Sequence, residues 1–216
     1  IYTHLPFSAR SGFEWAKERL KEFDSFIVSV REKLRICPPV IQALASAGVV
    51  AGLTSTECTA VSVGHLIFGG LGRVPPEIGD LRNFKSVFRS VKSKIIHIRE
   101  HSVSAQVGND GSISIDKGAR TAVIPIGLYD GFRKPINGQK EYVIIKGSKV
   151  PIIGFSQEYL TLDVSHLKQV NIGDEVTVIG SDGNENIRLS DIAKLWGTNS
   201  LNVLMSLNER MPYKYY

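Results

Sequence analysis

Two histidines four residues apart, His97 and His101, have a spacing that could hold a metal ion, and Cys37 and Cys58 are the only thiols. The alternation in SKIIHIR reads as a strand, however. Four steps along a strand put two side chains roughly 13 Å apart, too far to share one ion. The cysteines are too few for a disulfide framework and lack metal-ligand spacing, so a reducing, cytoplasmic setting is expected. A basic run, Arg82, Lys85, Arg89, Lys92 and Lys94, could meet an acidic partner or nucleic acid. Only Phe84 and Phe88 interleave it, which is poor for base stacking, and a solvated linker is the expectation. Gly173-Asp174-Glu175 reads as a turn into a strand.

The chain has 216 residues, 43% hydrophobic and 22% charged, with 26 Lys and Arg against 21 Asp and Glu. Its mean hydropathy is -0.01. These values exclude a disordered chain, a collagen-like repeat and a coiled coil. The longest apolar stretches, AVIPIGL and GHLIFGGLG, fall far short of the ~20 residues that cross a bilayer, so no membrane partner is expected. The opening IYTHLPFSARSG has no basic start followed by an apolar block, as a secretory signal would have. It also has no initiator Met, and strand-like sequence begins at once, as if in the middle of a larger unit. The net charge of +5 suits an anionic ligand better than it argues for nucleic acid.

The elements that must position any site divide near residue 90. Before it, strand-like and helix-like segments alternate. IYTHL is a short strand, and Ser11 could cap the helix after it. From Phe13 the apolar residues Phe13, Ala16, Leu20, Phe23, Ile27, Val30 and Leu34 recur at helical steps, and Pro38-Pro39 ends the pattern near Arg35. PVIQALAS reads as a buried strand, GVVAGL as a short helical or looped piece, and AVSVGHLIFGG as a second buried strand. This is the order of parallel βαβ units, yet three strands cannot close a barrel, and an exposed parallel edge is a hazard. From Val91 onward the pattern has period two, with turns at Gly108–Gly111, Asn137-Gly138, Gly147, Gly173-Asp174 and Asp182-Gly183. Six to eight antiparallel strands are expected, as a barrel or folded-over sheet, with one helix from a Ser190 cap to Gly197.

Several stretches carry a family likeness in order. They are TAVIPIGLYDGFRKP, GSKVPIIGFSQEYLTLDVS, VNIGDEVTVIG and IRLSDIAKLWGTNSLNVLMSLNERMPYKYY, preceded by IYTHLPFS, QALASAG and AVSVGHLIFGG. Together they resemble the second half of alanine racemase, a fold-type III enzyme that uses pyridoxal 5'-phosphate (PLP). The resemblance implies an α/β plus all-β chain. Residues 1–72 would be the C-terminal portion of a PLP-binding (β/α)8 barrel, 73–90 a linker, and 91–216 an antiparallel, barrel-like β domain. The chain would then start late in the barrel, without the strand that carries the family's PLP lysine.

Racemisation needs an electron-withdrawing cofactor ring and two bases on opposite faces of the α-carbon. In the family these bases are the PLP lysine and a tyrosine of the β domain. By the resemblance, His4 packs against the cofactor ring, Ser46 binds its phosphate, and the backbone at Gly64-His65 approaches that phosphate. The alternatives are a structural histidine at a strand end, a small residue for close packing, and a bulge in a strand. Four positions depart from the family. Ser62 stands where an arginine faces the ring nitrogen, and Asn109 falls at the catalytic tyrosine, where it has no proton to exchange near neutral pH. Gln157-Glu158 replaces the Met-Asp pair of the substrate entry, and Leu201 replaces a phosphate-holding tyrosine. Tyr129 or Tyr159 could supply a displaced phenol, or could simply lie on a β surface.

The expected function is therefore that of a PLP-dependent, alanine-racemase-like isomerase converting L- to D-alanine for peptidoglycan. The expected partners are a small amino-acid substrate and a second copy in a homodimer, with no membrane or nucleic acid. The alternative is a degenerate homologue whose β domain serves as a binding or assembly module. A nucleic-acid-binding barrel using the basic run is a third.

Overall fold

The structure is a computed structural model describing residues 1–7, 10–69, 85–107, 111 and 113–215. The chain divides into two compact units, Ile1–Phe88 and Arg89–Tyr216. Most of the expected linker, including Arg82 and Phe84, lies outside the described residues, as do Asn109 and part of the Gly108–Gly111 turn.

In the first unit, three strands lie side by side and parallel: β1 (Tyr2–Leu5), β2 (Gln42–Ala45) and β3 (Ala60–Ser62). The long helix α1 (Arg10–Leu34) connects the first two. Its Ala16, Leu20, Ile27 and Val30 are buried, and its basic and acidic residues fill the outer face as the helical repeat requires. Ala16 and Leu20 pack with Leu5, Ala43 and Leu44 into a small core. The helix stops where Arg35 takes a left-handed φ of 57°, just before the two prolines. Ser11 lies within the first turn of α1 and not before it.

Two short helices follow the strands, α2 (Ser46–Val50) after β2 and α3 (Gly64–Ile67) after β3. The run AVSVGHLIFGG, read from its apolar content as a buried strand, pairs over only three residues, none of them buried. Glycine at position 64 opens a helical turn instead. An apolar run of this length does not by itself separate strand from short helix.

The second unit is built from ten described strands. They are β4 (Val91–Lys94), β5 (His97–Glu100), β6 (Ala105–Val107), β7 (Ile113–Ile115), β8 (Arg120–Ile124), β9 (Tyr142–Ile145), β10 (Ser148–Phe155), β11 (Leu160–Asp163), β12 (Glu175–Asp182) and β13 (Glu185–Ile187). Eight form one antiparallel sheet, while β6 and β7 make a separate hairpin. Two long strands change partner midway. β10 gives Ser148–Pro151 to β9 and Ile152–Phe155 to β11, with a register irregularity between Ile152 and Gly154. β12 pairs with β4, β9 and β13. Because β4 runs through Ile95-Ile96 into β5, which pairs with β8, the pairings form a ring: β4/β5, β8, β11, β10, β9, β12 and back to β4. Alternate side chains of these strands, among them Ala122, Ile124, Val150, Ile152, Leu160, Leu162, Val176 and Val178, fill the interior.

The β9–β10 turn uses Lys146 and Gly147, both at positive φ, as a tight two-residue hairpin requires. Lys146 Nζ lies 2.7 Å from Asp174 Oδ2 and holds that carboxyl below its usual range. The two C-terminal helices are α4 (Leu189–Leu195) and α5 (Ser200–Ser206). Ser190 is not the cap of α4. It sits inside the first turn, and the Asp191 carboxylate accepts the Arg188 N–H at 3.1 Å. Gly197, at φ 65°, ends the helix as expected. Among the described residues, no helix is long and apolar enough to cross a membrane.

Candidate functional site

Parallel strands present their carboxyl ends to one side, where ligands of such units bind. Ala45 and Ser62 are in register at the ends of β2 and β3, so Ser46 and Gly64 follow from neighbouring positions. Ser46 is buried, and its Oγ accepts the Leu66 N–H of α3 at 3.2 Å. The structure therefore brings Ser46 together with the Gly64-His65 turn. As an acceptor in that bond, the hydroxyl still has its own proton to donate. The first amides of a helix have no intrahelical acceptor, which adds backbone donors on the same side. A Cβ at Gly64 would meet nothing within 4 Å, so the approach to this turn is open. Leu66 and Ile67 N–H are engaged by Ser46 Oγ and Val63 O, so the hydroxyl proton of Ser46 and the N–H groups of Gly64 and His65, beside open space, are the donors that could fit a phosphate.

His4 lies on β1, next to Leu5 in the core, and so on the opposite, exposed face of the strand. His65 is exposed, and Ser62 is half-buried at the end of β3 with no charge to offer.

In the second unit, Gln157 is exposed in the turn between β10 and β11. Its backbone oxygen accepts the Tyr129 N–H at 2.8 Å, and Ser156 O accepts the Leu128 N–H at 3.0 Å. Two segments thus clasp backbone to backbone. Gly127 makes this possible, because a Cβ there would stand 2.5 Å from Gln157 O. Tyr129, in the turn Leu128–Asp130, and Tyr159, in the β10–β11 turn, are both exposed and lie on no strand, and Leu201 is half-buried in α5. Asn109 lies outside the described residues.

Sequence reasoning missed the group that organises this end of the unit. Asp130 is buried, and its carboxylate accepts the Gly127 N–H at 2.8 Å and two bonds from Arg210. Asp130 also raises the pKa of the Arg210 guanidinium, chiefly through the hydrogen bond. Glu158 lies 3.7 Å from the same arginine. The signal available was the Asp of LYDGF, an acid in an apolar stretch that needs a cation if buried.

His97 is exposed on β5, whereas His101 lies just past it, buried, with Nε2 3.0 Å from Thr121 Oγ1. The two do not converge. Among the described residues, no group of three or more His, Cys, Asp or Glu could hold a metal ion.

A family model described as alanine racemase, C-terminal domain, matches residues 88–215. Alanine racemase 1 of Clostridium acetobutylicum is 25% identical over 217 residues, covering 100% of this chain and 55% of that protein. Alanine racemase of Streptococcus gordonii is 28% identical, covering 100% and 56%. The chain thus spans about half the length of the curated relatives it matches. The crystal structure of alanine racemase from Bacillus anthracis with bound L-Ala-P superposes with a TM-score of 0.81 at 21% identity, over 100% of this chain and 54% of that one. The alanine racemase structure from Bartonella henselae with covalently bound pyridoxal phosphate gives 0.74 at 23% identity, over 100% and 56%.

Proposed function

The chain belongs to the alanine racemase C-terminal domain family, and from that membership we propose that it is the second half of a PLP-dependent racemase acting on alanine. The first unit would then be the closing part of a (β/α)8 barrel, and the second the family's β domain. One observation carries the reading: Ser46 and the first turn of α3 meet at the ends of two parallel strands, with open space at Gly64. Ser46 and the backbone of Gly64 and His65 would hold the cofactor phosphate, and His4 would pack against the ring. When bound, PLP supplies an electron sink that makes the α-proton of an amino acid removable.

The chain's own residues do the positioning. With Leu66 N–H bonded to its oxygen, the Ser46 hydroxyl would donate its proton toward a bound phosphate. By the resemblance, Gln157, held by its backbone bond to Tyr129, would be a substrate-entry residue of the β domain. The lysine base comes from the part of the relatives' length that this chain does not span. We also assign it to the cytoplasm, as a homodimer making D-alanine for peptidoglycan.

The departures favour a second reading, a binding or assembly module without catalysis. Ser62 carries no charge and Leu201 no hydroxyl, where the resemblance implies an arginine and a tyrosine. An absorbance titration with PLP, with and without borohydride, separates the readings when run on this chain alone and joined to a racemase half carrying the lysine. A borohydride-reducible band in the joined protein, with racemisation of alanine, is expected. No spectral change in either form overturns the racemase reading.

A further inference from the structure

Three segments of the second unit are tied together at one place. The turn at 127–131 donates two backbone bonds to the turn at 156–159, from Leu128 N–H to Ser156 O and from Tyr129 N–H to Gln157 O. The C-terminal segment ties onto the 127–131 turn in its own right. Ser206 Oγ donates to Gly131 O at 3.2 Å, and Asn208 Nδ2 donates to Tyr129 O at 2.9 Å. Asn208 N–H adds a bond to Asp130 O at 3.2 Å. The backbones touch here, since a Cβ at Gly131, whose φ is 89°, would stand 1.7 Å from Ser206 O. Residues 206–208 are therefore held whatever follows them.

Arg210 follows them, and its side chain reaches both turns. Nε and NH2 donate to Asp130, at 2.7 and 3.1 Å, and NH1 lies 3.7 Å from Glu158 Oε1. The Asp130 side chain is 3% exposed, against 46% for Arg210 and 52% for Glu158. An exposed ion pair adds little stability. The tail is thus fastened by Asp130 and by the backbone bonds, and the reach to Glu158 has another consequence. A guanidinium is a rigid plane with donors on several edges. Once Asp130 fixes one edge, the direction of NH1 is fixed too, and with it the place where the Glu158 carboxylate finds a cation.

We propose that Arg210 is a positioning residue for the 156–159 turn: seated on Asp130 by Nε and NH2, it holds Glu158 with NH1 and so sets the Gln157-Glu158 side of the substrate entry. The inference rests on the racemase reading, which puts those two residues at the entry. It gives the C-terminal tail a part in admitting substrate, though no tail residue touches the cofactor or the reacting atoms.

The test uses this chain joined to a racemase half carrying the lysine. Arg210→Lys keeps a charge for Asp130 but loses the fork that serves two acids, and Glu158→Ala removes the second acid. Each is expected to raise KM for alanine several-fold with kcat little changed. The double variant is expected to raise it no further than the larger single effect, because both substitutions break the same contact. An unchanged KM in either single variant, increases that multiply in the double variant, or losses confined to kcat overturn the positioning role. A joined protein that racemises no alanine counts against the racemase reading instead, and hydrogen exchange on this chain alone then decides on Arg210. In Glu158→Ala, which alters an exposed side chain, the amides of Leu128 and Tyr129 must exchange several-fold faster than in the parent, relative to those of β11. An unchanged ratio overturns the proposal, and the same measurement serves should Arg210→Lys fail to fold.

Discussion

Arg210 grips Asp130 with both prongs of its guanidinium, Nε 2.7 Å from Oδ1 and NH2 3.1 Å from Oδ2, across 80 positions of sequence. The Asp130 carboxylate also accepts the Gly127 N–H, so one buried acid joins the C-terminal tail to the turn that positions Gln157. Replacing Asp130 with Asn keeps the shape but removes the charge that both donors need. The expected loss is about 2 kcal/mol, the scale of a buried charge-assisted bond, read as a lower urea midpoint at unchanged slope. Cleavage by protease near Met211 should rise in parallel.

Two glycines should answer alanine in opposite ways. At Gly127 the added carbon meets Gln157 O and Tyr159 N within 2.6 Å, and the two segments must part, at a cost of about 1–3 kcal/mol. At Gly64 there is open space, and the thermal midpoint should stay within error of the parent. Phosphate binding would suffer there instead, so Gly64→Ala should weaken PLP affinity, measured by absorbance titration, without loss of stability. A Gly64→Ala chain that unfolds early would contradict the open approach described for that turn.

Ser46→Ala removes the acceptor of the buried Leu66 N–H. A buried donor left unpaired costs about 1–3 kcal/mol, so unfolding of the first unit should shift to lower denaturant. Ser46→Thr keeps the hydroxyl and should recover more of the PLP affinity than of the stability. Equal recovery of both would assign Ser46 to packing alone.

The buried Glu141 also sets a pH dependence of stability. Its native pKa of about 7 lies above the ordinary 4.5, so between these values the unfolded chain has released the proton and the native state has not. Stability therefore falls as pH rises through that window, by roughly 3 kcal/mol in all, and levels off above it. Urea midpoints taken from pH 4.5 to 8 would show the slope, and Glu141→Gln should remove it.

The parts of the fold visible in the sequence are those with a local period. Ala16, Leu20, Ile27 and Val30 lie on one helical stripe and are all buried. Leu34, at the end of the same stripe and the last residue of α1, is 63% exposed. Period-two alternation holds in β10, whose residues alternate between buried and half-buried from Val150 on, whereas β12 is buried without a break from Val176 to Gly180. That Ser46 would meet the turn at Gly64-His65 was suggested only by the resemblance, since a serine and a glycine carry no chemistry on their own. The Asp130–Arg210 pair left one local trace, the acid of LYDGF in an apolar stretch, but nothing near it names Arg210, 80 positions away, as the partner. The cap of α4 was misplaced for another reason: the helix is capped two residues before Ser190, at an Arg188 that has no side-chain acceptor to offer, and the Asp191 carboxylate in the first turn accepts its N–H instead.

The ring of strand pairings sets an order of events during synthesis. β4 emerges early, yet its partner β12 follows about eighty residues later, as the Lys92–Glu175 ion pair at a separation of 83 shows. At ribosomal rates of about 5–20 residues per second, β4 waits on the order of ten seconds for that partner. Its companion β5 meets β8 sooner, so one continuous strand is half paired and half bare during that wait. A nascent chain halted before Gly173 would hold an unclosed sheet with a free edge, the form most open to chaperones and to mispairing with its neighbours.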